Sequence, residues 1–181
     1  GSGSGSASGN GSASLMSMVR EPAHRSFLTA AEDWDLDRIK NDYADAAEKV
    51  IAAGLDGFEL ELYGHLLDQL WSPATNKRTD DYGGSLDNRM RFSRNILERI
   101  RKMAGEDFII GLAVNMDPGV KVSQSIEQLQ EIVAWHDERQ LMDYVTCGTC
   151  SYFTFGGIIP NVFFADKLGA RQAALAKLLP M

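Results

Sequence analysis

Helical periodicities and short apolar runs alternate along this chain, and that alternation restricts the fold to α/β with parallel strands. Leu36, Ile39, Tyr43, Ala46, Val50 and Ile51 recur at helical spacing, with Asp35 as the expected N-cap and Gly54 just past the end. Gly57 to Leu60 is a short strand. A second helix is expected after Ser85, with Leu86, Met90, Ile96, Ile100 and Met103 on its apolar face and Gly105 at its end. Phe108 to Val114 is an apolar, partly β-branched run, the pattern of a strand covered on both faces. Ser125 and Gln128 have capping-box spacing and open a third helix carrying Ile126, Leu129, Ile132, Val133 and His136. Met142 to Cys147 is the third strand. A last helix is expected from about Phe164 to Leu179, with a break near Gly169. Pattern alone leaves open whether such a sheet is doubly wound or part of a barrel. No G-x-G-x-x-G follows a strand, so a dinucleotide fingerprint is missing.

The flanks of this alternation carry little fold information. Residues 1–14 are Gly/Ser-rich, of linker or tag composition, and cannot bury a core. Residues 15–181 hold the expected domain. Leu15 to Leu28 is expected to be irregular, because Glu21-Pro22 breaks a helix. With 18 basic and 25 acidic residues the formal charge is −7, which disfavours nucleic acid as a partner. No apolar run approaches the roughly 20 residues that span a bilayer, and no signal peptide is evident. Two cysteines make no disulfide framework. A cytoplasmic protein without a membrane partner is the expectation.

One segment departs from ordinary loop lengths. Leu62 to Ser85 connects a strand to a helix, where about two to six residues are usual. It is dense in hydrogen-bonding groups: Asn76, Arg78, Asp80, Asp81, Tyr82, Ser85, then Asn88 and Arg89 in the helix. Gly83-Gly84 allows a tight turn into that helix. These groups are expected chiefly to fold the loop onto itself.

The stretch Tyr63 to Arg89, with N-x-R-x-D-x-Y-G-G-S-x-x-N-R in register, resembles the loop after the fourth strand of the Old Yellow Enzyme (NADH:flavin oxidoreductase) family. Arg20-Glu21-Pro22-Ala23-His24-Arg25 and Tyr144-Val145-Thr146-Cys147-Gly148-Thr149 resemble its amine-dehydrogenase-like and N-demethylase-like branch. The resemblance runs from about Met18 to Leu179. It implies a (β/α)8 TIM barrel, of which this chain would supply about strands four to six and their helices. A whole barrel needs about 250 residues. It implies FMN as cofactor, NAD(P)H and a small-molecule substrate as partners, and hydride transfer as the reaction. It also implies roles for particular residues. Tyr63 and His65 would be catalytic, orienting substrate above the flavin. Glu61 and Trp71 would contact substrate. Ala113 stands where relatives carry a flavin-contacting Arg, leaving Asn115 as a neutral contact to cofactor. The strands expected to hold the flavin phosphate would lie outside the chain.

Other groups were weighed on their chemistry. Glu59 and Glu61 share one strand face and invite an acid/base reading, against the commoner pairing of an interior Glu with a cation. Cys147 and Cys150 form C-x-x-C, but two thiols do not close a zinc site, so no metal is expected. Trp34, Trp71, Trp135, Phe153, Phe155, Phe163 and Phe164 would line an amine cavity or, more ordinarily, a core. Two functions follow: an FMN-dependent oxidoreductase, or a non-catalytic half barrel that self-associates or binds a complementary half.

Overall fold

The computed structural model describes residues 20–21, 26–27, 30–62, 65–116 and 124–148. The Gly/Ser-rich start and the expected helix from Phe164 to Leu179 lie outside them. Arg20–Glu21 (β1) and Ser26–Phe27 (β2) pair antiparallel, where an irregular segment was expected. Two-residue strands are too short to show alternation in sequence.

The remaining elements follow the expected order, with one helix, α2, added inside the expected loop. They are α1 (Asp33–Ala52), β3 (Gly57–Glu61), α2 (Leu66–Trp71), α3 (Leu86–Ala104), β4 (Ile109–Asn115), α4 (Ile126–Asp137) and β5 (Tyr144–Gly148). Strands β3, β4 and β5 form one parallel sheet in that order. The fold is therefore α/β with a parallel sheet.

Local chemistry sets the helix ends. The N-cap of α1 is Glu32, not Asp35. Asp35 sits at N3 and accepts the Glu32 N–H at 3.1 Å, so the acid completes a capping box from inside the helix. The Ser85 hydroxyl accepts the Asn88 N–H at 3.3 Å and opens α3. Ser125 and Gln128 close a reciprocal box at 3.2 and 3.0 Å at the start of α4. Replacing Ser85 by Ala should cost about 1 kcal/mol, measured as a shift in the urea midpoint with unchanged slope.

Alternation along the strands divides the sheet into two faces. Leu60, Ile110, Leu112 and Val114 point to the helices and are buried with Leu36, Met90, Ile96, Leu97, Ile100, Leu129 and Ile132. The opposite, inner face is aligned by the register. Glu59 lies beside Gly111 and Tyr144, Glu61 beside Ala113 and Thr146, and Asn115 beside Gly148. Two large apolar side chains of this face, Ile109 and Tyr144, remain 45% and 43% exposed.

The long connection is not all loop. Helix α2 interrupts it, burying Leu67, Leu70 and Trp71. Six residues are too few for a helix to stand by propensity, so tertiary packing holds it.

Candidate functional site

The candidate site is the inner face of β3–β5 together with the connection that leaves the C-terminal end of β3. That connection is braced from within. The Asn76 amide donates to Leu70 O at 2.6 Å and Tyr82 O at 2.7 Å, while its oxygen accepts the Arg78 N–H at 3.0 Å. Arg78 is 4% exposed. Its guanidinium forks onto Asp80, donates to Ala31 O at 2.6 Å and reaches Asp33 at 3.2 Å. Burial pushes the Asp80 carboxyl up. Hydrogen bonds from Arg78 and the Tyr82 N–H, with the Arg78 charge, outweigh this and hold it below its ordinary range.

The second half of the signature ties the connection to α3. The Asn88 amide donates to Gly83 O at 3.0 Å, and Arg89 donates to Gly84 O and to Trp71 O. Gly83 lies so close to the Arg78 carbonyl that a Cβ would sit 1.9 Å from its oxygen, and Gly84 has φ +84°. A side chain at Gly83 would have to displace the Arg78 backbone, and one at Gly84 would be strained by its positive φ although space is open around it. These residues brace the mouth of the sheet, as the polar pattern suggested.

The expected site residues scatter. Tyr63 lies outside the described residues. His65 is the N-cap residue of α2, exposed, with its N–H on Leu62 O at 2.7 Å. Glu61 is exposed on the inner face, in one row with Ala113 and Thr146. Asn115 is one step further along β4 and 3% exposed.

Trp71, expected to contact substrate, is buried in the core of this structure. It is 1% exposed, and its indole N–H donates to Ser93 Oγ at 3.0 Å at the junction of α2, α3 and α4. There Ser93 Oγ also lies 2.9 Å from His136 Nε2, and His136 Nδ1 lies 2.8 Å from Ile132 O. A carbonyl only accepts, so Nδ1 carries the proton, and in the neutral ring the one Ser93 hydroxyl proton faces both Nε2 and Met90 O at 2.9 Å. Burial pushes the His136 pKa down to about 4 despite the Ile132 bond, and Arg139 adds to the shift. Ser93 and His136 are 1% and 0% exposed, so this Ser–His pair is structural and meets no substrate.

The other aromatic and thiol candidates also resolve. Trp135 is buried and donates to Asp87 at 2.6 Å under the Arg139 guanidinium, whereas Trp34 is 66% exposed. The Phe residues from 153 to 164, and Cys150, lie outside the described residues. Burial pushes the Cys147 thiol up, away from thiolate reactivity. Among the described residues no group of three His, Cys, Asp or Glu could hold a metal ion. None of their helices is long and apolar enough to cross a membrane.

The residues that sequence reasoning missed are Tyr144 and Thr146. Thr146 donates its hydroxyl to Glu59, and the Tyr144 phenol lies close enough to feel the same carboxylate. Lost solvation and then the Glu59 charge push the Tyr144 phenol above its ordinary value. Their alternation in β5 was visible. The register that sets them near Glu59 was not.

Against this geometry, comparison with known proteins is decisive. A model of the NADH:flavin oxidoreductase / NADH oxidase family matches residues 7–155. The chain belongs to this family. It is 48% identical over 126 residues to a probable N-methylproline demethylase of Rhizobium meliloti (strain 1021), a match covering 70% of this chain and 19% of the relative. It is 37% identical over 163 residues to an N,N-dimethylglycine/sarcosine dehydrogenase of Chromohalobacter salexigens, covering 88% of this chain and 24% of that one. Histamine dehydrogenase from Rhizobium sp. 4-9 superposes with a TM-score of 0.60 at 30% identity, over 67% of this chain and 18% of that structure. The chain spans about a fifth to a quarter of the length of these relatives.

The flavin implied by membership in the NADH:flavin oxidoreductase family can be tested against the inner face. Its described residues offer two carboxylates, a methyl group, an amide, a phenol and a hydroxyl, and no cation. Ala113 supplies no charge where an anionic reduced flavin would need one. These residues do not fit the group.

Proposed function

We propose that the chain forms about strands four to six of an FMN-dependent NAD(P)H:flavin oxidoreductase barrel, and supplies its wall and mouth brace but not its flavin grip. The supporting observation is the row Glu61–Ala113–Thr146, which lies under a heavily braced mouth connection and carries no positive charge. Within that reading Tyr63 and His65 orient a small-molecule substrate and Glu61 contacts it. The names of two relatives point to a small N-methylated amine as that substrate. Asn115 is the one neutral cofactor contact the reading retains. Residues 1–14 have linker composition, although the family match begins at residue 7.

A second reading, a non-catalytic association module, draws on the exposed Ile109 and Tyr144 of the inner face. Such a face favours self-association or a complementary half barrel.

Purified chain mixed with FMN and passed over a sizing column tests both readings. The expected protein peak carries no visible flavin absorbance. Stoichiometric retained flavin would overturn the claim that these residues lack a flavin grip. A peak larger than one chain would favour the association module, and a strictly monomeric peak would count against it.

A further inference from the structure

Glu59 is the inner-face carboxylate for which a cationic partner was expected, and the structure gives it the Thr146 hydroxyl with the Tyr144 phenol nearby. Thr146 and Tyr144 both come from β5, two strands away from β3. In a flat sheet such strands lie roughly 9.5 Å apart. The side chains must therefore lean over β4 and meet above it.

What stands beneath them is small. Gly111 shares a row with Glu59 and Tyr144, and Ala113 shares a row with Thr146. A Cβ on Gly111 would lie 2.3 Å from the Tyr144 ring. The phenol thus rests directly on the glycine backbone on its way to the carboxylate.

We propose that Glu59, Tyr144 and Thr146 form a staple across the inner face, binding β3 to β5 over the low floor made by Gly111 and Ala113. The staple explains two features at once. It gives the small residue at 113 a structural use, because a long side chain there would crowd Thr146 as it leans towards Glu59. It also commits Glu59 to holding strands together, which removes it as a general base. Glu59 is a positioning residue in this arrangement.

A double-mutant cycle on the full chain tests the staple, using urea unfolding of Glu59→Gln, Thr146→Val and the pair. Thr146→Val should lower the folding equilibrium constant about 5-fold with Glu59 present, and less than about 2-fold in the Glu59→Gln background. A second measurement uses Gly111→Ala, which drives a methyl group into the Tyr144 ring. Amide hydrogen exchange should then show β5 losing protection relative to β3. Equal losses from Thr146→Val in both backgrounds, or unchanged β5 protection in Gly111→Ala, would overturn the proposal.

Discussion

Arg78→Ala should destabilise the chain by about 3 kcal/mol, roughly the cost of removing one partner from a buried charged network. Its guanidinium, 2% exposed, holds three things together: the Asp80 carboxylate within the mouth connection, the Ala31 carbonyl before α1, and Asp33 in the first turn of α1. Deletion leaves the Ala31 carbonyl and part of Asp80 without their donor. It also opens a void beside the Tyr82 ring, which the guanidinium faces at 5.9 Å. Asp33 contributes little to the loss, because its side chain is 85% exposed and water replaces the partner. Arg78→Lys should recover less than half, since a point charge cannot serve a forked carboxylate and a carbonyl together. Thermal unfolding of the three proteins checks the ranking. Limited proteolysis between residues 72 and 85 should be fastest in Arg78→Ala. Stability of the Lys variant equal to that of the parent would show that the fork geometry is unimportant.

Acid should weaken the fold through His136 before the carboxylates dominate. Its pKa in the folded chain is about 4, against 6.5 for the unperturbed ring, because burial opposes the charge. The folded state therefore binds fewer protons than the unfolded state between those values. The sign follows directly. Stability associated with the neutral ring is fully present above about pH 6.5, is lost progressively as pH falls towards 4, and loses nothing further below that. The shift corresponds to about 3 kcal/mol across the window, at roughly 1.4 kcal/mol per unit. His136→Gln should flatten this part of the profile, since an amide can meet Ser93 and Ile132 without titrating. Urea unfolding at pH 7, 5.5 and 4.5 measures it. A His136→Gln profile parallel to the parent profile would assign the acid sensitivity elsewhere.

Much of the architecture was legible because it rests on local rules. The capping box at Ser125 and Gln128, the cap at Ser85 and the apolar run that became β4 all depend on residues close in sequence. The errors arose where distance matters. Asp35 looked like a cap by type, but the chain turned three residues earlier and used its carboxylate from N3. Helix α2 was hidden because six residues give too little periodicity, and its stability comes from Leu67, Leu70 and Trp71 entering the core. Trp71 looked available to a substrate because sequence does not show that Ser93 and His136 arrive beside it from two other helices.

The sequence alone determined the α/β order, the caps at Ser85 and Ser125 and the family-marking loop from Tyr63 to Arg89, since each is written in residue type and short spacing. Only the tertiary structure decided what those residues do. Arg78 became a clamp because α1 brings Ala31 and Asp33 to it, and Trp71 became core because three helices converge on it. Glu59 met the Thr146 hydroxyl because strand register, a long-range property, set Tyr144 and Thr146 across the small floor of β4.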